Sequence, residues 1–417
     1  MDNFMRPLGI RGETLSERER KNLAILEAIR RSGPISKTDI SSLAGLNVVT
    51  VSNYVDNFLK TRLVFEKELD VSAGGRRPVL LDLNSKAHLA IGVGLNLSSL
   101  VGVLTDLSGN IVYKTKRDRA DVPVKELVDS VMEIIKELLD RGAGDSSRIR
   151  GVGIGIAGIV NHKGGTIRWP EKVSNKGCVY TSMYLPLKEI IEKEFNIPCM
   201  VENDATVACF AEQWLSLEPE IENVIYMFSG VGCGIMINRQ IYRGFSGGAG
   251  EVSIDNNKEN GLFNCQFASP CFLKRWDADL GLVDEAKRRL SARNNTIVES
   301  KILELASKDV NNIRLQDIFQ AAKENDALAL DLIKQAGKRL GIKISYLVNL
   351  LNPEVVIIGG GIEEAGSVFL DTIKQTVSDW AFEEMSGNLK IIPSKLKENS
   401  VALGAASLVV RQIFAQS

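Results

Sequence analysis

Apolar side chains recur with the 3.6-residue period of an α-helix in three successive stretches near the start of the chain. The pattern predicts a first helix over residues 17–32, ended by a Gly-Pro pair, and a short second helix over residues 37–44. Ser36 is predicted to cap that second helix. A third helix is predicted over residues 48–61, after a turn of three residues that contains glycine.

The third predicted helix has two chemically different faces. Val51, Val55 and Phe58 are spaced i, i+4 and i+7 and form its apolar stripe. Two helices joined by a short turn are the helix-turn-helix pattern, whose second helix presents its N-terminal residues to base edges in duplex DNA. On the helices alone, a three-helix structural bundle is the alternative interpretation. The candidate base-contacting residues are Val49, Thr50, Ser52 and Asn53.

A pair of short strands follows the third helix and encloses a glycine-rich loop. The strands are predicted over residues 63–69 and 78–83, and the loop between them carries Arg76 and Arg77. Arginines on a thin hairpin loop fit the narrow minor groove of DNA, where the phosphate potential is concentrated. We therefore predict a wing, and we assign residues 1–82 to a winged helix-turn-helix DNA-binding domain.

The rest of the chain, residues 83–417, alternates β-rich segments with helical ones, which predicts an α/β body. A strand, a turn and a second strand occur twice, over residues 90–104 and 224–237. Such a repeat implies two similar lobes with a cleft between them. The predicted lobes are about 83–205 plus 401–417 for the first and about 206–400 for the second.

The turns of the two repeated hairpins are candidate phosphate sites. Glycine turns of this kind bind nucleotides through backbone N–H groups that reach phosphate oxygens. The second turn keeps its glycines, whereas Asn96 and Leu97 occupy the first. A tight β-hairpin within a core sheet is the alternative explanation.

Polar residues at the end of an apolar strand mark another candidate site. Asn203 and Asp204 follow the strand that begins at Cys199, a position that usually lines a cleft. Asp204 can accept a proton from a substrate hydroxyl, with Asn203 donating or accepting beside it. A helix N-cap is the alternative role. Glu251 follows a glycine-rich turn and offers a carboxylate that can accept two hydroxyl bonds from a polyol.

Taken in order, these motifs resemble the ROK family of repressors and sugar kinases. The resemblance implies an actin-like, hexokinase-like (ribonuclease H-like) two-lobed sugar-binding body behind a DNA-binding head. It makes Asp204 the counterpart of the kinases' catalytic base, and makes Asn203 and Glu251 sugar-binding residues. Glu171 is a further ligand candidate, since it lies where a family asparagine contacts sugar. The resemblance rests on the Gly-Gly-Arg-Arg-Pro wing and on motifs at 153–158, 202–205, 229–234, 249–251, 358–361 and 403–406.

Two departures from the family pattern bear on cofactors. The kinases carry Asp-x-Gly-Gly-Thr in the first phosphate turn, where this chain has Gly94 in place of the metal-orienting carboxylate, so ATP binding is not expected. The family's zinc ligands fall on Ile254, Asn264, Gln266 and Cys271, and three of the four are missing, so we predict no metal.

Composition narrows the function classes further. The net charge of −1 provides no general field for polyanions, so any contact with nucleic acid must be local. Six cysteines, no charged-then-apolar leader and no membrane-length apolar stretch predict a cytoplasmic protein with reduced thiols. Only two histidines occur, which disfavours mechanisms that need several imidazoles.

We predict a sugar-responsive transcriptional repressor of carbohydrate catabolic genes, and not an enzyme. It is expected to bind operator double-stranded DNA and a sugar or polyol effector, with no membrane partner. A homodimer or homotetramer is expected because one head contacts a single half-site. An ATP-dependent sugar kinase is the alternative function, since Asp204 is retained. A purely structural scaffold is a third hypothesis, which predicts neither DNA binding nor a sugar-dependent melting shift.

Overall fold

The structure is a computed structural model. It describes residues 9–10, 13, 15–67, 79–96, 99–118, 124–142, 147–161, 164–172, 180–229, 232–252, 280–291 and 300–417. The helices in these ranges are α1 (Glu17–Ser32), α2 (Lys37–Ala44), α3 (Val48–Lys60), α4 (Val124–Arg141), α5 (Leu187–Phe195), α6 (Asp204–Leu215), α7 (Leu282–Ser291), α8 (Lys301–Leu305), α9 (Leu315–Lys323), α10 (Ala327–Leu351), α11 (Ser367–Trp380), α12 (Glu383–Ser386) and α13 (Ser400–Gln416). The strands are β1 (Gly9–Ile10), β2 (Ile35–Ser36), β3 (Val64–Lys67), β4 (Leu80–Leu83), β5 (Leu89–Leu95), β6 (Ser99–Asp106), β7 (Ile111–Asp118), β8 (Ile149–Ile156), β9 (Ile159–Asn161), β10 (Thr166–Lys172), β11 (Tyr180–Leu185), β12 (Cys199–Asn203), β13 (Val224–Phe228), β14 (Gly232–Ile237), β15 (Gln240–Ile241), β16 (Val355–Gly359) and β17 (Lys390–Pro393).

The N-terminal helices form as their caps and periodicity predict. The Ser36 hydroxyl accepts a bond from the Asp39 backbone N–H at 3.2 Å, and Gly45 ends α2 with φ +64°. The Asn47 side chain caps α3 by accepting from the Thr50 N–H at 2.8 Å. The predicted bounds of α1 and α2 are confirmed, and α3 ends one residue earlier than predicted.

A three-stranded antiparallel sheet in the order β2-β4-β3 closes the head. Helix, three-residue turn, helix and hairpin thus follow each other in the predicted order. The described parts of the two hairpin strands, β3 and β4, are shorter than the predicted ranges. Val51, Val55 and Phe58 are buried, so the apolar stripe of α3 is the one the periodicity predicts.

Two sheets form the body, and the predicted α/β class is confirmed. One has five strands in the order β12-β8-β5-β6-β7, and the other has six in the order β1-β15-β14-β13-β16-β17. Each contains one of the repeated hairpins, β5–β6 in the first sheet and β13–β14 in the second, and both hairpins are antiparallel. A separate antiparallel sheet, β11-β10-β9, extends from the first lobe.

Helix α13 lies directly against the five-stranded sheet because glycines in β5 and β8 allow it to. A Cβ atom on Gly92 would lie 2.0 Å from the Ala402 carbonyl oxygen, and one on Gly153 would lie 2.0 Å from that of Ala405. Helix α6 packs on α13 and also on β13 and β14 of the other sheet. The α6–α13 pair therefore connects the two lobes.

The head shares its hydrophobic core with the body. Leu23, Ile25 and Leu26 of α1 belong to the same buried cluster as Trp214 and Phe414. The division at residue 82 remains a prediction, and one segment departs from it. Strand β1 pairs in parallel with β15, so it lies in the body sheet instead of the head.

Across the described ranges, no helix has the length and hydropathy needed to cross a bilayer.

Candidate functional site

Asn203 and Asp204 lie where β12 ends and α6 begins. Asn203 is the N-cap of α6, and its Oδ1 accepts from the Thr206 N–H at 3.1 Å while its Nδ2 donates to the Gly158 carbonyl at 3.2 Å. The N-cap role considered from the sequence is therefore confirmed for Asn203. An asparagine amide has one further lone pair and one further proton, so it retains capacity for a ligand. Asp204 is buried as the first residue of α6.

Glu251 approaches Asp204 from the opposite side of this cleft. The Cys233 N–H donates to the Gly250 carbonyl at 2.8 Å, and Glu251 forms a β-bridge with Gly232. Gly250 has φ +97°, and a Cβ atom there would lie 1.9 Å from the Cys233 carbonyl oxygen, so only glycine fits this turn. The second repeated hairpin therefore fixes the position of the Glu251 backbone.

Burial and mutual repulsion make the charge of this pair sensitive to pH. Surrounding protein atoms raise the pKa of Glu251 to about 7, with a further contribution from the charge of Asp204. The side chain nevertheless keeps an exposed surface, as expected for a group on the wall of a cleft. Two carboxyl groups and an amide close to one another can supply several acceptors for hydroxyl groups, although one Asp204 oxygen already accepts from the Ala205 N–H at 2.8 Å.

An ion pair holds the two halves of the site together. The Arg243 Nε donates to Glu202 Oε2 at 2.8 Å, and Glu202 Oε1 accepts from the Asn203 N–H at 2.8 Å. The Arg243 carbonyl accepts from the Ala249 N–H at 3.1 Å, which closes the loop leading to Glu251. Sequence analysis missed Arg243 and Glu202 as a pair, because nothing in the local pattern brings together residues so far apart in the chain.

The first repeated hairpin does not fit the phosphates of a nucleotide. A Cβ atom on Gly94 would lie 2.6 Å from the Ala402 backbone nitrogen and 2.8 Å from the Val401 Cβ, so the kinases' metal-orienting carboxylate has no room. The Asn96 side chain is buried and donates to the Glu398 carbonyl at 2.8 Å. The chain's own atoms therefore occupy the surroundings of this turn.

Carboxylates bind two lysines beside this turn and, in the turn after β16, a backbone N–H group. Lys114 and Lys116 both bind Glu398, at 2.5 and 2.6 Å. The Gly361 N–H, in the glycine turn after β16, donates to Glu363 at 2.7 Å. The two lysines and this N–H group are thus bonded to acids of the chain itself, and the described residues of the first turn do not fit the phosphates of Mg-ATP.

The candidate DNA-contacting residues of α3 face solvent. Val49 is 71% exposed, Asn53 is exposed, and Thr50 and Ser52 are partly exposed. Arg76, Arg77 and all four positions of the family's zinc ligands lie outside the described residues. Glu171 lies on β10. Among the candidate residues whose side chains the structure describes, it brings together Asn203, Asp204 and Glu251.

Comparison with known proteins bears on all of these features. The family model described as "ROK family" matches residues 90–412. The chain belongs to the ROK family. A ROK relative named xylose repressor, from Caldicellulosiruptor bescii, is 29% identical over 395 residues, which cover 93% of this chain and 94% of the relative. The N-acetylglucosamine repressor of Escherichia coli O6:H1 is 24% identical over 404 residues, covering 93% and 91%.

Solved ROK structures share this fold. A ROK transcriptional regulator, described as a homologue of the E. coli MLC protein, superposes with a TM-score of 0.73 at 24% identity and covers 95% of this chain and 96% of its own. A ROK glucokinase from Streptomyces griseus, solved with glucose and AMPPNP, has a TM-score of 0.62 at 26% identity and covers 77% and 98%. The kinase thus matches a smaller share of this chain than the regulator does.

Proposed function

We propose that this ROK protein is a sugar-responsive transcriptional repressor of carbohydrate catabolic genes. The observation that carries the proposal is the combination of an exposed α3 face with a body in which Gly94 leaves no room for a carboxylate and Asn96 is bonded to the chain itself. Relatives that match more than nine tenths of the chain and are named as repressors support it. Binding of operator DNA accounts for the head, and release of that DNA on binding a sugar accounts for the body.

In this proposal the effector binds between the start of α6 and the loop that leads from β15 to Glu251. Glu251 and Asp204 accept hydroxyl bonds, and Asn203 contributes its remaining amide capacity. The name of the Caldicellulosiruptor bescii relative favours D-xylose as the effector, whereas the E. coli relative's name favours N-acetyl-D-glucosamine. Glu171 is a proposed contact with the sugar, because it lies where a family asparagine contacts sugar. Arg76 and Arg77 are proposed contacts with the minor groove of the DNA, because they lie on the loop of the predicted wing.

The catalytic role is not proposed, although Asp204 occupies the position of a base. Phosphoryl transfer depends on positioning and neutralising the phosphates, which requires a metal-orienting carboxylate and free N–H donors. The steric fit at Gly94 and the bond between Asn96 and Glu398 oppose both requirements. A dimer is proposed because one head contacts one half-site and paired half-sites need two heads.

The test measures DNA binding and its response to sugar. A duplex is first selected from a random-sequence pool with the wild-type protein, and its Kd is then measured with and without D-xylose or N-acetyl-D-glucosamine at fixed salt. The double variant Arg76→Ala, Arg77→Ala is expected to bind the duplex at least about tenfold more weakly. Glu251→Gln is expected to keep operator binding but lose the response to sugar.

Two results would reject the proposal. One is a failure of the pool to yield any preferred duplex. The other is robust sugar-dependent ADP release that Asp204→Asn abolishes, which would establish the kinase alternative.

A further inference from the structure

The hairpin between β14 and β15 lies between the DNA-binding head and the effector site. Ile237 pairs with Gln240, so Asn238 and Arg239 form a two-residue turn, with φ values of +53° and +61°. This conformation is that of a type I′ turn, whose second position strongly favours glycine. An arginine at that position is costly for the backbone, and such strain persists only where the surroundings hold it in place.

A buried ion pair holds the Arg239 side chain, and with it the strained turn, in place. The Arg239 side chain is 1% exposed, and its Nη2 lies 2.9 Å from Glu27 Oε1 on α1, whose side chain is 2% exposed. The Arg31 Nε of the same helix lies 3.3 Å from that oxygen. A buried pair such as this tolerates little displacement, because separating the two groups would leave each charge buried without an opposite charge. Any shift of the hairpin turn is therefore transmitted to α1.

The backbone of the same turn is attached to the N-terminal strand. The Gly9 N–H donates to the Arg239 carbonyl at 3.0 Å, and Gly9 pairs with Gln240. The turn is thus joined to the segment before α1 as well as to α1 itself.

The other end of β15 reaches the effector site. Arg243, four residues after Arg239, binds Glu202, and Glu202 accepts from the Asn203 N–H. The Arg243 carbonyl holds the loop that leads to Glu251. One short segment therefore contacts α1 at its beginning and both halves of the effector site at its end.

We propose that the segment from Arg239 to Arg243 couples effector binding to the orientation of the DNA-binding head. An effector that draws Glu251 toward Asp204 moves the loop held by Arg243, and the displacement passes along β15 to the Arg239–Glu27 pair. Helix α1 then moves relative to the body and carries α2 and α3 with it, since α1 contacts both. The roles of effector and DNA in this scheme rest on the proposed function. The mechanical link between the two sites rests only on the contacts described above. Arg243 and Arg239 are positioning residues here, since neither is assigned a direct contact with effector or DNA.

The link is tested first without any ligand, by amide hydrogen exchange of the full-length chain. Glu27→Gln removes the charge at the head end of the segment. We expect exchange to rise about threefold or more at residues 203–206 and 249–251, whereas β6 stays unchanged. Glu17→Gln is the matched control, because it makes the same substitution on an exposed ion pair of the same helix.

If Glu27→Gln does not fold, the double variant Glu27→Gln, Arg239→Met removes both charges of that pair. Arg31 then keeps its bond to the Gln213 carbonyl, at 3.0 Å. The same pattern of exchange is expected. Exchange that rises only within α1 and β15, or that rises equally in β6, overturns the proposal.

The second measurement is the ratio of operator Kd values with and without a saturating sugar, which is whichever of D-xylose and N-acetyl-D-glucosamine alters operator binding by the wild type. In the wild type a ratio of about 5 to 150 is expected, and in Glu27→Gln a ratio below about 3 with little change in the sugar-free Kd. A variant that keeps the wild-type ratio overturns the coupling. A wild type that shows no operator binding or no response to either sugar counts against the proposed function, and the exchange experiment then still decides the link.

Discussion

The charge of the Glu251 carboxyl group changes within the physiological range of pH. Its surroundings and the neighbouring Asp204 raise its pKa to about 7, so it is half protonated near neutrality. A carboxylate accepts hydroxyl bonds at both oxygens, whereas the protonated form gives up part of that capacity. Sugar binding is therefore expected to favour the deprotonated state.

It follows that the affinity for the sugar effector rises with pH through about 7. We expect the Kd to be about tenfold larger at pH 6 than at pH 8, because the protonated fraction must lose a proton to bind. Isothermal titration calorimetry across this range provides the measurement. Glu251→Gln is expected to bind weakly with no such slope, and an unchanged slope in that variant would assign the titration to another group.

Gly94 is predicted to resist restoration of the kinase motif. In Gly94→Asp the new side chain would collide with the first turn of α13, as the distances to Ala402 and Val401 require. We expect a loss of about 1–3 kcal/mol in the free energy of unfolding and no gain of ATPase or kinase turnover. Urea unfolding measures the loss. Gly164→Asp is the control, since a Cβ atom there meets nothing closer than 3.7 Å, and equal stability of both variants would contradict the packing argument.

At the scale of elements, α3 divides its two faces between the core and solvent. Val51, Val55 and Phe58 hold it in the head, and its N-terminal turn is left with short exposed side chains. Burial of the apolar stripe fixes how the helix is rotated about its own axis. The same rotation decides which side chains face solvent.

Asn53 is the residue of that exposed stripe best suited to discriminate between bases. Asparagine can form two hydrogen bonds with adenine, and a pair of this kind contributes about 1–3 kcal/mol of discrimination. We expect Asn53→Ala to weaken operator binding about 10- to 100-fold with little effect on binding to random-sequence duplex. Competition titrations of the two duplexes measure this ratio. Equal losses on both would show that Asn53 contacts only the DNA backbone.

The elements that local chemistry dictates were predictable from the sequence. Apolar periodicity and cap residues predicted α1 and α2 to the residue, and the repeated order of strand, turn and strand predicted both hairpins. Helix α6 begins at Asp204 because Asn203 serves as its cap, the alternative role that the sequence offered.

The contacts between distant segments were not predictable in the same way. The bond between Asn96 and Glu398 and the ion pair between Arg239 and Glu27 join residues hundreds of positions apart. No local spacing reports such a pairing, so it emerges only after the sheets and helices have packed. The sequence did indicate the site residues Asn203, Asp204 and Glu251, since each follows a strand or a glycine turn that directs it into the cleft.

At the scale of the whole molecule, head and body are joined by more than a linker. Trp214 of α6 lies beneath Arg30 of α1, 4.8 Å from its guanidinium carbon, and contacts the ring of Phe414 in α13. The Asn22 side chain donates to the Ala415 carbonyl at 3.0 Å. Head, α6 and α13 therefore share one buried cluster.

This shared cluster predicts that heat unfolds head and body together in a single calorimetric transition. Trp214→Ala is expected to lower the midpoint of the whole transition, at a cost of about 3–5 kcal/mol. Trp380→Ala, at a position 48% exposed, is the control and is expected to change little. Two resolved transitions, one of them unaffected by Trp214→Ala, would show that the head is an independent unit.

The close seating of α13 on β5 and β8 also bears on how the chain is made. Translation proceeds from the N-terminus, so the ribosome completes the head and most of both sheets before residues 400–416 are synthesised. Until that last helix emerges, the glycine-lined surface of the first sheet and the inner side of α1 remain without their partner. A chain of this architecture therefore completes its packing only once residues 400–416 have been made, and a truncation that removes α13 is expected to unsettle α1 although the two lie far apart in the sequence.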